Sequence, residues 1–419
     1  MQSTIRRSPV SKSTIPESGV LDTNLTRDEL RIKRILEVGT GAYHTPPTGY
    51  GGTERIIANL AMGLKEIGID TSILDYTTSN SPVDHDRLLL KVPFHFNPRY
   101  NALLGNVDAL IFGLCLFLSS VNKRLTLAPY DVIHCHKFLL SFFALLATHR
   151  HKSYARPIIV YSNHDPNLAC VRTLSLPKRI VLSLTLVCAA KLVDYITFET
   201  RSSLENAPEL TETIPHFVLQ NPIDVSLYSG PRLGEVPNVL YVAKISRVKG
   251  QVELIKAFAK LNSMVPGVTL TLVGGPVEIS YLDDMQKEIA INGLQHAVKW
   301  SPALSKEVLL RLYKTSAVNI SLSATAGTDL SVREGLAAGA ATIAPEITPV
   351  KEFLRNGVDA LLVDPTDIAD ISQAMLRLLH DAELRARVQT NGNRIVKEKI
   401  DKSSVARKLV DELLASRLS

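Results

Sequence analysis

Glu334 stands in the run S-L-S-A-T-A-G-T-D-L-S-V-R-E-G-L-A-A-G, residues 321–339, with no cation one helical turn away. Its i−4 and i−3 neighbours are Leu330 and Ser331; its i+3 and i+4 neighbours are Ala337 and Ala338. A helical carboxylate without a Lys or Arg at pairing distance needs donors from elsewhere. The hydroxyls of a bound sugar or ribose would serve; so would water on an exposed face. A second group is cationic. Lys244 and Lys249, in V-A-K-I-S-R-V-K-G, follow the carboxyl end of an apolar run, where a bound diphosphate would lie. Two solvated lysines are the plainer reading. A third is the run G-Y-G-G-T-E-R, residues 49–55. Gly51 and Gly52 leave backbone N–H groups bare at a helix start, where the dipole favours an anion. A dinucleotide fingerprint fits poorly, because Gly39-x-Gly41-x-x-His44 lacks the third glycine. Histidines form a fourth group: His134 and His136 flank Cys135, and His164 lies in Y-S-N-H-D-P-N. No further ligand stands at zinc spacing, so no metal is expected.

Positioning such groups takes an α/β framework. Lys33–Val38 reads as a strand, and helical spacing follows over Thr53–Lys65. Strands are expected at Asp70–Tyr76, Val132–Cys135, Ile158–Ser162, Tyr195–Phe198 and Phe217–Leu219. A second series follows a stretch bearing Pro and Gly. It comprises strand Val239–Ala243, helix Gln251–Leu261, strand Thr269–Val273, helix Leu282–Ile291, strand Val298–Trp300, helix Lys306–Tyr313, strand Val318–Leu322 and helix Leu330–Ala338. Two alternating series imply two doubly wound, Rossmann-like α/β domains facing across a cleft. The expected divisions are a disordered leader at 1–30, a first domain at 31–222, a linker at 223–236, a second domain at 237–397 and a terminal helix at 398–419.

The chain has 419 residues, long for one core. It is 45% apolar and 21% charged, with net charge +6. That balance suits anionic small substrates or an anionic surface; aromatics at 6% without basic interleaving argue against nucleic acid. Four cysteines without C-x-x-C spacing read as reduced thiols in a cytoplasmic protein. No apolar run opens the chain, so a secretory signal is not expected. The apolar runs Ala109–Leu118 and Ile180–Ala190 are each only about ten residues, against roughly 20 for a spanning helix. Buried helix is the expectation. Shallow membrane contact stays beside it, because Lys178, Arg179 and Lys191 flank the second run.

The block around Glu334 resembles the donor-binding block of the retaining family 4 glycosyltransferases, which have the GT-B fold. There two glutamates stand eight residues apart. Glu334 matches the second, which usually holds the ribose. Ala326 stands where the first belongs, the one that touches the transferred sugar. Gly49–Arg55 resembles the family's Gly-Gly-x-Glu-Arg loop, and Val242–Gly250 its Gly-Arg-x-x-x-x-Lys-Gly motif, with Lys244 at the arginine position. Lysine there keeps the charge but loses the bidentate fork.

The resemblance implies a transferase that moves a sugar from a nucleotide-diphosphate sugar to a hydroxyl acceptor with retention, without metal or resident cofactor. The acceptor would be a sugar, a glycolipid or a small molecule, read between about Ser79 and Tyr130. The resemblance puts Gly51, Gly52, Lys244, Lys249, Gly275, Gly327, Thr328, Asp329, Leu330 and Glu334 on the donor. His164, Lys249 and Lys244 fall at the reacting centre; Glu54 and His136 fall on the acceptor side. Asp329 would cap its helix or take a sugar hydroxyl. Two other readings share these residues: a catalytically weak nucleotide-binding subunit, suggested by Ala326, and a nucleotide-sugar epimerase.

Overall fold

A computed structural model describes residues 32–41, 44–45, 52–77, 87–92, 102–122, 127, 129–148, 156–164, 193–323 and 330–418. Several expectations fall outside them: the leader at 1–30, Gly51, the turn Ala326–Asp329, the run Ile180–Ala190, Cys170 and Cys188.

The first lobe runs β1 (Arg34–Val38), α1 (Gly52–Glu66), β2 (Asp70–Thr77), β3 (Arg87–Lys91), α2 (Ala102–Val121), β4 (Val132–Cys135), α3 (Phe138–Thr148), β5 (Ile158–Asn163), β6 (Tyr195–Phe198), α4 (Arg201–Glu205), α5 (Pro208–Thr211) and β7 (His216–Val218). The second runs β8 (Val236–Val242), α6 (Gln251–Met264), β9 (Thr269–Val273), α7 (Ile279–Ile291), β10 (Val298–Ser301), α8 (Lys306–Thr315), β11 (Ser316–Ile320), α9 (Leu330–Ala337), β12 (Ala341–Pro345), α10 (Thr348–Lys351), β13 (Leu361–Val363), α11 (Ile368–His380) and α12 (Ala382–Lys399). The last helix is α13 (Lys402–Leu418).

Among the described residues the two sheets are wholly parallel, in the orders β3-β2-β1-β4-β5-β6-β7 and β10-β9-β8-β11-β12-β13. Helices cover both faces, so central strands such as β4, β11 and β12 are buried along their whole length and read as apolar runs without alternation. Strand order reverses between β1 and β4 in one sheet and between β8 and β11 in the other. A doubly wound sheet opens a crevice at the carboxyl ends of such a pair.

Three details depart from the sequence expectations. The run Ala109–Leu118 belongs to the longer helix α2, and only one side of it is covered. Ala109, Phe112 and Leu116 are buried while Leu110, Leu114 and Leu118 are exposed. An unbroken apolar run carries no period to reveal this. β11 starts at Ser316 rather than Val318, because α8 runs to Thr315 and passes into the strand without a loop. Residues 223–236 are more than a connector: a short helical turn, Val225–Tyr228, packs Tyr228 against Tyr313.

The chain crosses between lobes twice. Ile223 and Ile400 run side by side at the crossing, with Ile223 N donating to Ile400 O at 2.9 Å and Lys402 N to Ile223 O at 2.9 Å. Beyond it α13 lies on α1. Val405, Leu409 and Leu413 are buried with Ile35, Leu60 and Leu64 in one cluster. Lys402 clamps this junction, reaching Asp224 at 2.7 Å and Glu66 at 2.8 Å. Gly63 makes the approach possible, since a Cβ there would collide with the backbone of Lys402. Among the described residues no helix is long and apolar enough to cross a membrane.

Candidate active site

The starts of α1 and α9 face one another across the crevice. A Cβ on Gly52 would lie 3.9 Å from Leu330 Cδ1. One turn further in, Arg55 of α1 reaches Glu334 of α9, Nη1 to Oε1 at 3.6 Å. Glu334 is only 7% exposed, so the solvated reading does not hold. Its partners come from distant parts of the chain. The Tyr313 hydroxyl donates to Oε2 at 2.8 Å, and Tyr228 adds a further hydrogen bond. Burial pushes the Glu334 carboxyl up, and Tyr313, Arg55 and Tyr228 oppose the rise. A carboxylate fixed this way presents a set acceptor direction, with Oε1 on the Arg55 side.

The lysines stand beside the reversal point of the second sheet. Lys249 ends a short helical turn after β8, and its ammonium donates to Ser323 Oγ, beyond β11, at 2.8 Å. Its backbone is pinned by Tyr241, whose hydroxyl donates to Lys249 O at 2.6 Å. Gly250 turns the chain at φ 67° and opens α6. Gln251 Nε2 donates to Lys244 O at 2.9 Å, holding the second lysine to the same turn. Lys244 is an exposed residue, yet loss of water around its ammonium and then repulsion from Lys249 lower its pKa; Glu54, from the first lobe, opposes this. Gly274 must be glycine, since a Cβ there would collide with Ala243 O. Gly275 follows, and its carbonyl accepts from Ile245 N at 3.0 Å, so the expected glycine turn flanks Lys244.

In the first lobe Glu54 does not present an open carboxylate. It is 3% exposed and takes a hydrogen bond from Thr40, and burial raises its pKa. His136 is likewise enclosed. It is 3% exposed, and both ring nitrogens are engaged: Nε2 with Glu37 Oε2 at 2.7 Å and Nδ1 with His164 Nε2 at 2.9 Å. His164, just past the carboxyl end of β5, is half-buried and the more open of the two rings. Glu37 also meets His134 Nδ1 at 3.1 Å, and His134 Nε2 meets Ser162 Oγ at 2.7 Å. Burial alone would raise the Glu37 carboxyl, but the two imidazoles overcome it and hold it at about 2. Burial, with His134 nearby, brings His136 down to about 4, and burial takes His164 well below the usual histidine range.

Ligand atoms of Glu37, His134 and His136 lie within 4.8 Å of one another, the only such group among the described residues. They already bond one another at 2.7 to 3.1 Å, closer than the roughly 3.3 Å that separates ligands held about 2.0–2.1 Å from a zinc ion. The geometry suits hydrogen bonding better than a metal. The described cysteines do not join it: Cys135 and Cys115 are free, and burial raises the Cys135 thiol to about 12.

The structure thus gathers Gly52, Leu330, Glu334, Lys244, Lys249 and Gly275 around one crevice. Sequence reasoning did not single out Tyr313, Tyr228, Ser323 or Glu37. Only Glu37 carried a signal, as an acid inside the strand R-I-L-E-V.

Fold and family agree on the class. Residues 50–226 match the family model described as Glycosyltransferase Family 4, and residues 231–395 match that of Glycosyl transferases group 1. A sucrose-phosphate synthase from Thermosynechococcus elongatus superposes with TM-score 0.70 at 17% identity, covering 92% of this chain and 99% of its own. HepE of Anabaena, solved with UDP and glucose, superposes with TM-score 0.65 at 17% identity, covering 91% and 100%. The chain is a glycosyltransferase of the GT-B fold. Within that class, the two matched segments, which take in most of both lobes, support a family 4 glycosyltransferase. A relative by sequence is the D-inositol 3-phosphate glycosyltransferase of Acidothermus cellulolyticus, 27% identical over 385 residues, covering 84% of this chain and 83% of that one.

Proposed function

We propose that this chain transfers a sugar from a nucleotide-diphosphate sugar to a hydroxyl acceptor with retention at the anomeric carbon. The observation that carries the reading is the pair Lys244 and Lys249, placed together where strand order reverses and opposite the start of α1. Loss of water and then repulsion from Lys249 lower the proton affinity of the Lys244 ammonium, and two neighbouring cations raise the site's affinity for an anion. A diphosphate relieves their repulsion and is stabilised by it as a leaving group. Glu334 holds the ribose hydroxyls through Oε1, and donor binding then competes with Arg55 for that oxygen. The UDP and glucose bound by HepE support this donor class. The acceptor hydroxyl attacks from the leaving group's own face, and the departing phosphate takes its proton. The chain's share is orientation and charge stabilisation. No divalent metal is needed, because the lysines neutralise the phosphates.

His164, at the end of β5, contacts a hydroxyl of the transferred sugar. The acceptor is a polar polyol, a class that includes the inositol phosphate named for the 27% relative. Titration calorimetry with UDP, GDP and ADP, and with their sugars, tests the donor site. One diphosphate should bind, and Glu334→Ala should weaken it by roughly tenfold or more, the loss of a charged hydrogen-bond partner. Binding of none of the three ends the proposal.

A further inference from the structure

This inference rests on the proposed place of His164 beside the sugar and concerns the groups behind that ring. Glu37 lies in the middle of the first sheet, fully buried, in register with His134 of the neighbouring strand. Two imidazoles meet its carboxylate, His134 at Oε1 and His136 at Oε2. An ionised carboxylate can only accept, so His136 donates from Nε2. A neutral imidazole that donates from one nitrogen accepts at the other. His136 Nδ1 is therefore an acceptor, and the atom 2.9 Å from it is His164 Nε2. That nitrogen must carry the His164 proton. The two rings lie within 14° of parallel, their centroids 5.2 Å apart, which holds the arrangement in one orientation. We infer that Glu37 is a positioning residue: acting through His136, it locks His164 in the tautomer whose Nδ1 accepts a hydrogen bond from a substrate hydroxyl.

The arrangement has chemical value. Positive charge develops on the sugar as the phosphate leaves, and an imidazolium beside it would oppose that charge. Burial disfavours the charged His164 ring, and His136 and His134 press in the same direction. The proton order set by Glu37 then decides whether the nitrogen offered to the substrate accepts or donates.

The test uses the full chain labelled with nitrogen-15 histidine, His164 being assigned by the signals lost in His164→Gln. Wild type should show His164 as a single neutral tautomer, protonated at Nε2, between about pH 6 and 8. In Glu37→Gln the amide no longer forces His136 to donate, so the His164 signals should move toward the other tautomer. kcat should fall about 10–100-fold, as when the partner that orients a working imidazole is lost. The donor KM should stay within about twofold, because the phosphate and ribose contacts are intact. A proton on Nδ1 in wild type overturns the inference without any variant. So does a Glu37→Gln chain with an unmoved tautomer, whether or not kcat falls. One equivalent of tightly held metal, lost with Glu37→Gln, overturns it as well. Wild-type turnover in His164→Ala would instead remove the substrate contact of the proposed function, and the ring signals tell that failure apart.

Discussion

Acidification should weaken the fold through its buried imidazoles before the Glu37 carboxylate protonates. His136 is held neutral, at about 4 in the folded chain against an ordinary value of 6.5. The unfolded chain therefore takes up the proton first. This contribution to stability is fully present above about pH 6.5 and is lost as pH falls toward 4. The difference of about 2.5 units is worth about 3 kcal/mol, of which about 2 kcal/mol is gone by pH 5. His164 shifts in the same direction and adds to the loss. Glu37 contributes at lower pH only: its stabilisation is complete above its ordinary 4.5 and disappears as pH falls toward 2. The groups facing these rings are Glu37 on β1 and His134 on β4, the latter backed by Ser162 on β5, so the acid response belongs to the first lobe. Urea unfolding followed by circular dichroism at steps from about pH 7.5 to 5 measures it as a falling free energy with an unchanged m-value. The double variant His136→Gln/His164→Gln should flatten the slope. Wild-type stability that stays level within about 0.5 kcal/mol between pH 7 and 5 refutes the assigned protonation states.

Two further predictions concern the crevice and the lobe junction. Lys249→Ala should lower kcat by about 10²–10³, the usual loss when one stabiliser of a leaving anion is removed; near-normal turnover in a steady-state assay would show that the diphosphate lies elsewhere. Gly63→Ala should lower the melting temperature and free α13 from α1, since the added methyl meets the Lys402 backbone. Limited proteolysis should then remove the terminal helix quickly, and a chain as resistant as wild type would contradict the packing described.

The architecture was legible because both sheets are parallel and covered on both sides. Their strands become short apolar runs, and β4, β6 and β9 fall at their expected bounds. The cationic and glycine motifs were legible for a related reason: each sits just past a strand's carboxyl end, where the doubly wound fold places its ligands. What sequence spacing could not supply was partners. Glu334 lacks a neighbour along its own helix, yet Tyr313, Tyr228 and Arg55 reach it from two other helical turns and the facing lobe. The same limit applied to His136. The resemblance puts it on the acceptor side, while its ring nitrogen meets Glu37, 99 residues away. Helix α3 went unread because F-L-L-S-F-F-A-L-L-A-T is apolar on every side and shows no period.

The placement of α13 sets an order on how this chain comes into being. Leu409 and Leu413 complete a cluster begun by Ile32 and Ile35, so residues of the first lobe wait for a helix that is made only after the whole second lobe. The first lobe cannot finish its core as it leaves the ribosome, although the second lobe can close its own. Domains of most long chains mature in the order they emerge. Here the first lobe is sealed after the second, and a chain cut before Lys402 would keep an intact second lobe beside an open first one.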